Sequence, residues 1–262
     1  MQELTDTQGQ PDNRRLAIDR VGVSDLAYPV SVRDKAHAVQ NTVATVTMAV
    51  DLPHHYKGTH MSRFIEALNA HGPVIDVRGI VDLPRSLRER LEAETAHAKF
   101  RFPFFLEKRA PVTGRKGLMD YFVTFEVNDS EASTDFVLTV EVPVTTLCPC
   151  SKAISARGAH NQRGIVSFSV RFREPIWIED LIALVERSAS AELFSVLKRP
   201  DEKAVTEAAY DNPVFVEDLV RNVAARAYAQ DDIIWFKVDA KNYESIHNHN
   251  AYATIESRRW AG

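Results

Sequence analysis

The chain holds two cysteines, Cys148 and Cys150, on either side of one proline in LCPCSKAIS, and His160 follows twelve residues after the first of them in GAHNQRG. Near the C-terminus, YESIHNHNAYA offers Glu244, His247 and His249 within six residues. Thiolate, imidazole and carboxylate are the ligand types of a catalytic zinc site, which keeps one coordination position open for water, and an oxygen-rich mixture also suits manganese or iron. The spacing matches neither a CxxC finger nor HExxH, so any convergence has to come from the fold. Other uses of these residues stay open. The cysteines could be small buried side chains, Cys148 could be a nucleophile with His160 as its base, His160 could cap a loop, and His247 and His249 could sit in a wet turn.

A disulfide does not explain the cysteines, because residues two apart rarely meet the Cα and Cβ geometry of the bond. A chain of 262 residues also buries a large core without one. Free thiols fit a reducing compartment. Pro149 fixes its own φ and biases Cys148 away from helix, which gives the first sulfur a comparatively stiff mount. If the backbone is extended there, both sulfurs share a side; if it turns, only one faces a cleft.

Three further segments carry polar chemistry. KGTHMSRF places Lys57, His60, Ser62 and Arg63 at a helix start, where backbone amides and the dipole favour an anion. Equally, Thr59 or Ser62 caps that helix and Arg63 faces solvent. KRPDEKAVTE gathers Lys198, Arg199, Asp201, Glu202 and Lys203 ahead of a helical stretch, and a solvated charge run is the default there. Glu217, in NPVFVEDLVRN, falls on a first helical turn, where periodicity makes it a surface residue; as a buried carboxylate it would accept two donors from a planar ring.

The positions that must hold these groups follow from hydrophobic period. Val39 to Leu52 alternates and is rich in β-branched residues, which predicts a strand. Met61, Phe64, Ile65 and Leu68 recur at helical spacing, and Pro84 opens a second helix with Leu87, Leu91 and Ala98 on one face. Met119 to Val127 and Phe136 to Val144 form a hairpin around NDSEAS. Gly164 to Phe172 starts a similar series: helices over Ile178 to Val185 and Phe215 to Val223, then strands over Ile233 to Val238 and Ala251 to Ile255. The order strand, helix, helix, strand, strand thus occurs twice. It predicts two similar α+β modules, residues 21–147 and 148–262, after a flexible or loosely docked arm of residues 1–20. The linker, near Val144 to Gly164, would put the CPC segment where small-molecule clefts form.

Composition narrows the function. With 32 basic and 36 acidic residues the net charge is −4, which supplies no global field for nucleic acid. The polar start, MQELTDTQGQPDNRR, lacks a signal-peptide core, and no stretch approaches the roughly 20 apolar residues of a membrane span. A cytoplasmic protein without membrane or nucleic-acid partners is expected.

Taken together, VGVSDLAYPV, KGTHMSRF, TTLCPCSKAIS with GAHNQRG, RPDEKAVTEAAYDNPVFVEDLVRNVA and NYESIHNHNAYA resemble the type IB GTP cyclohydrolases over about residues 20–258. The resemblance implies a tunnelling fold, α+β, with two similar modules of antiparallel sheet carrying helices on one face. It further implies a homotetramer with active sites at subunit interfaces. The implied reaction opens GTP to 7,8-dihydroneopterin triphosphate and formate, which leads into tetrahydrofolate synthesis and some deazapurine modifications of tRNA. One divalent metal per site is implied, zinc or manganese, with iron also compatible. By motif, Cys148 resembles the metal thiolate; His160, Glu202, Glu244 and His247 complete the metal and water environment, and Glu217 anchors guanine. Lys57, His60, Arg63, Lys152 and Arg163 form a pool for the triphosphate, and Cys150 has no assigned role. Alternatives are the NADPH-dependent nitrile reductase of queuosine synthesis, which shares the fold, and a non-catalytic pterin-binding protein.

Overall fold

The computed structural model describes residues 8–76 and 79–257. Its elements, in chain order, are β1 (Ile18–Asp34), β2 (Ala38–Leu52), α1 (Met61–His71), β3 (Val74–Ile75), α2 (Asp82–Leu91), β4 (Thr95–Arg109), β5 (Lys116–Ser130), β6 (Thr134–Leu147), α3 (Pro149–Ile154), β7 (Asn161–Phe172), α4 (Ile178–Glu186), α5 (Arg199–Asp211), α6 (Val216–Tyr228), β8 (Ile233–Asn242) and β9 (Ala251–Glu256). Hydrogen-bonded neighbours follow the order β3-β1-β2-β4-β5-β6-β7-β8-β9. β3 runs parallel to β1, whereas β1–β2, β2–β4, β6–β7, β7–β8 and β8–β9 are antiparallel. No helix among the described residues is long and apolar enough to cross a membrane.

Two compact units partition the chain: one runs to Phe102 and takes in Thr124–Val137, the other is Pro103–Val123 with the residues from Leu138 onward. In the first, Ala44, Val46, Met48 and Val50 turn inward from β2, and Phe64 and Leu68 from α1 are fully enclosed. Phe125 meets Phe102 edge-on with ring centroids 5.2 Å apart. In the second, α6 packs on β8 and β9 and buries Leu219 and Val223, while Tyr228 meets Phe236 edge-on at 4.8 Å. Each enclosed side chain of this size contributes about 1.5–3 kcal/mol through removal from water.

The repeated element order is fuller than hydrophobic period predicts. Two strands precede the helices in each series, β1 and β2 in one, β6 and β7 in the other, and β4 was not expected at all. Ala98, assigned from period to a helical face, lies in β4 opposite Met48. That strand alternates Ala96, Ala98, Phe100, Phe102 and Phe104 inward with Lys99, Arg101 and Pro103 between them, and its mixture of charge and proline masks the two-residue period. α3 and α5 were likewise absent from the periodic pattern. Of the expected arm, residues 1–7 lie outside the described residues. The amides of Lys57 and Gly58 donate to the carbonyls of Gln10 (3.0 Å) and Gln8 (3.1 Å), and residues 18–20 already belong to β1. The segment from Val144 to Gly164 lies within the second unit.

Candidate functional site

The end of β6 and the start of β7 pair in register, Leu147 opposite Asn161, Thr146 opposite Gln162 and Thr145 opposite Arg163. This pairing continues one step further, because the Cys148 amide donates to the His160 carbonyl at 3.1 Å. The ladder thus places a thiol and an imidazole, twelve residues apart, at adjacent chain ends. Between them the backbone turns at once: Cys148 is the N-cap of α3, Pro149 occupies the first helical position, and the Cys148 sulfur accepts from the Ser151 amide at 3.3 Å. A proline suits that position because its missing N–H would have no helical partner. Cys148 is half-buried, so its sulfur is not sealed in the core, and Cys150 is exposed.

The Cys148 mount is fixed from behind. Leu147 donates to Ser190 Oγ (3.0 Å) and accepts from the Val214 amide (3.0 Å), while Thr145 bridges to Ala191. Asn212 and Asn222 in turn donate to the carbonyls of Ala189 and Ser188. Upstream of that segment, Lys108 pairs with Glu186 and Glu192, each at 2.7 Å, and the Tyr121 hydroxyl donates to Glu186 at 2.7 Å. Burial pushes the Glu186 carboxyl above its ordinary range, with Lys108 opposing.

His160 sits before β7 with its amide on Ser151 Oγ (3.1 Å) and its ring Nδ1 3.0 Å from Gln162 Oε1. Ser245 Oγ lies 3.4 Å from the same nitrogen, and Tyr243 donates to the Arg163 carbonyl at 2.9 Å. The tail therefore reaches His160, but through Ser245. Glu244 is half-buried beside it, and His247 and His249 are exposed with rings stacked 5.1 Å apart. Among the described residues no three His, Cys, Asp or Glu side chains stand close enough to hold a metal ion. The structure joins the backbones of Cys148 and His160, which carry donors of the right kind for zinc, and does not gather Glu202, Glu244 and His247 around them.

Glu202 is exposed on the first turn of α5, but the solvated charge run expected there fails at its neighbour: Asp201 has 0 % exposure. Its carboxylate accepts from the amides of Val112, Thr113 and Lys198 and from the Thr113 hydroxyl, at 2.7–2.9 Å. Burial would raise this carboxyl; the hydrogen bonds from Thr113, Lys198 and Val112 outweigh it and hold the group well below the usual carboxylate range. The folded value is thus depressed, so this contribution to stability is complete above about pH 4, the ordinary aspartate value, and is lost as pH falls toward the folded value. Acid unfolding followed by circular dichroism should show the Asp201→Asn variant losing less stability than the native chain between pH 5 and 2. Equal losses would discount the clamp.

The expected substrate contacts have mixed surroundings. Glu217 is exposed on the first turn of α6, next to Asp218, which accepts from the Phe215 amide. In the single chain it is not the buried carboxylate that ring recognition was expected to use. Lys152 is engaged: its ammonium donates to the Tyr210 carbonyl and lies 4.3 Å from that ring's centroid. Arg63 donates to the Arg90 carbonyl at 3.2 Å, tying α1 to α2. Lys57 and Arg163 are exposed and His60 is half-buried as the N-cap of α1, with no side-chain cap bond. Thr59 and Ser62, expected as caps from their hydroxyls, do not occupy that position. Sequence reasoning missed Gln162, Ser245 and Asp201; period starts the strand at Gly164, whereas β7 begins at Asn161, so the alternation that sets Gln162 beside His160 was not legible.

A family model described as type I GTP cyclohydrolase folE2 matches residues 4–253. The chain is 62% identical over 260 residues to a GTP cyclohydrolase FolE2 of Akkermansia muciniphila, covering 98% of each chain. It is 53% identical to one of Syntrophus aciditrophicus, covering 97% of this chain and 99% of the relative. Uricase from Arthrobacter globiformis aligns with a TM-score of 0.56 over 93% of this chain and 95% of that one, at 11% identity. That likeness concerns the fold alone: a mixed sheet with flanking helices, the tunnelling fold.

Proposed function

The chain belongs to the type I GTP cyclohydrolase folE2 family, and from that premise we infer how its residues carry the hydrolysis of GTP. It is a GTP cyclohydrolase of folate biosynthesis. The reaction adds water at C8 of guanine and releases that carbon as formate, leaving 7,8-dihydroneopterin triphosphate. The nitrile-reductase and non-catalytic readings draw nothing from relatives named as cyclohydrolases.

The observation that carries the site is the Cys148–His160 pairing at the open end of the β6–β7 ladder. We assign these two residues as the centre of a metal site, with Glu202, Glu244 and His247 as the further donors. A divalent ion held there, zinc or manganese, would lower the pKa of water from about 15.7 toward about 7 and so supply the nucleophile at neutral pH. His247 would deliver a proton to N7 as the C8 bond opens, since His160, with Nε2 on the cation and Nδ1–H on Gln162, has none to give. Glu217 would accept from N1–H and the exocyclic amine of guanine, a pair that adenine lacks. Lys57, His60, Arg63 and Arg163 would meet the triphosphate, and Lys152 would join them only by leaving Tyr210. Because the five donors are not gathered in one chain, the proposal includes a homotetramer whose neighbouring copies complete each site. A cytoplasmic location is part of the same proposal, as the pathway expects.

Purified protein stripped of metal and reloaded with zinc or manganese should release one formate per GTP, and light scattering should report four chains. Glu217→Ala should raise the KM for GTP about 10-fold or more while bound metal stays unchanged, since hydrogen bonds to a charged group contribute about 1.5–3 kcal/mol each. No formate under any metal would overturn the activity, and loss of metal from Glu217→Ala would remove that residue from the base pocket.

A further inference from the structure

We propose that Gln162 is a positioning residue that fixes which nitrogen of His160 carries the proton, an inference that rests on His160 being a metal ligand. The two residues alternate onto the same side of the chain at the start of β7. Gln162 is 9 % exposed, and its Oε1 lies 3.0 Å from His160 Nδ1. Behind it, Gln162 Nε2 donates at 3.0 Å to the hydroxyl of Thr146, which has 0 % exposure and sits directly opposite on β6.

This short chain has a direction. With the amide nitrogen committed to Thr146, the amide oxygen is what faces the imidazole, and an oxygen acceptor requires a proton on Nδ1. The lone pair then resides on Nε2, which is the nitrogen left to bind a cation. Reversing the amide would turn its NH2 toward Nδ1, move the imidazole proton to Nε2 and remove the ligand. Amide orientation and imidazole tautomer are therefore one choice, made here with the amide oxygen toward Nδ1; the buried Thr146 hydroxyl, which can donate as well as accept, holds the amide in place without setting its direction. Ser245 Oγ, at 3.4 Å from Nδ1, is a longer partner that cannot impose this direction, because a hydroxyl both donates and accepts. A histidine that ligates a metal commonly gives its other ring N–H to an oxygen acceptor, which fixes the ring and raises its basicity. Here an amide backed by a hydroxyl occupies the place where many such sites hold a carboxylate.

The test uses the metal-free full-length protein first. Nitrogen NMR of the imidazoles, with His160 identified by its loss in His160→Asn, should show the neutral ring of His160 protonated at Nδ1. In Gln162→Leu the same ring should show a mixture of tautomers. Competition with a chelating dye should then find zinc held about 10- to 100-fold more weakly by Gln162→Leu, while Gln162→Glu, which can still accept from Nδ1–H, should match or exceed the native affinity. A native ring protonated at Nε2, or a Gln162→Leu variant that keeps both tautomer and zinc affinity, would overturn the proposal. Weak zinc binding by Gln162→Glu as well would reduce Gln162 to a packing role. None of these readouts involves GTP, so a protein that passes them yet releases no formate would refute the cyclohydrolase assignment alone.

Discussion

Replacing Cys148 with serine should leave the fold intact and abolish turnover, a loss of more than about 100-fold. The two effects separate because the residue has two jobs. As the N-cap of α3 it accepts one hydrogen bond from Ser151, and serine is among the best residues for that position, so the helix loses nothing. As a thiolate it would hold a divalent cation, and a neutral hydroxyl does not. Removing a partner one shell further out already costs about 10- to 100-fold in metal affinity or activity, which sets the lower bound. Elemental analysis and formate release on the same sample distinguish the outcomes. A variant that keeps its metal and loses turnover would point to a nucleophilic sulfur, and one with native turnover would sink the assignment of Cys148.

Lys108→Met should destabilise the protein by about 3–5 kcal/mol, the usual result of stranding one member of a buried ion pair. The Lys108 and Glu186 side chains are only 10 % and 9 % exposed. Without the ammonium, Glu186 retains one hydrogen bond, from Tyr121, against a burial that already raises its carboxyl. For a carboxyl whose folded value lies above its unfolded one, stability falls as pH rises from about 4.3 through the folded value. The variant should therefore lose more at pH 7 than at pH 4. Urea unfolding at both pH values measures this, and Lys108→Met with Glu186→Leu should recover most of the loss. A single-variant cost below about 1 kcal/mol would show that Glu186 escapes to solvent. Because this network supports the segment bonded to Thr145 and Leu147, partial loss of activity should accompany the destabilisation.

Much of the strand pattern was legible because it is local. Val39–Leu52, the hairpin around residues 128–133 and the closing strands all alternate visibly, and each appears where the period puts it. β4 was not legible, since its outward face is charged and carries Pro103 while its inward face is phenylalanine; the alternation is real but is read only once the sheet defines an inside. Asp201 shows the same limit from the other side. Within a run of five charged residues nothing distinguishes it from Glu202, yet it is the one whose carboxylate meets four donors, three of them supplied by Val112 and Thr113.

What the sequence determined by itself was the inventory: the donors Cys148 and His160, the stiffness given by Pro149, the exposed Glu217, and motifs specific enough to indicate a family and its reaction. Tertiary structure alone decided which of these meet. The β6–β7 register sets Cys148 against His160 and Thr146 against Gln162, and the tail approaches through Ser245 while Glu244 and His247 are not gathered. The physical reason is that pairing register is fixed by hydrogen bonds and burial between segments far apart in the chain, so the neighbours of a side chain are a property of two strands at once and cannot be read from either.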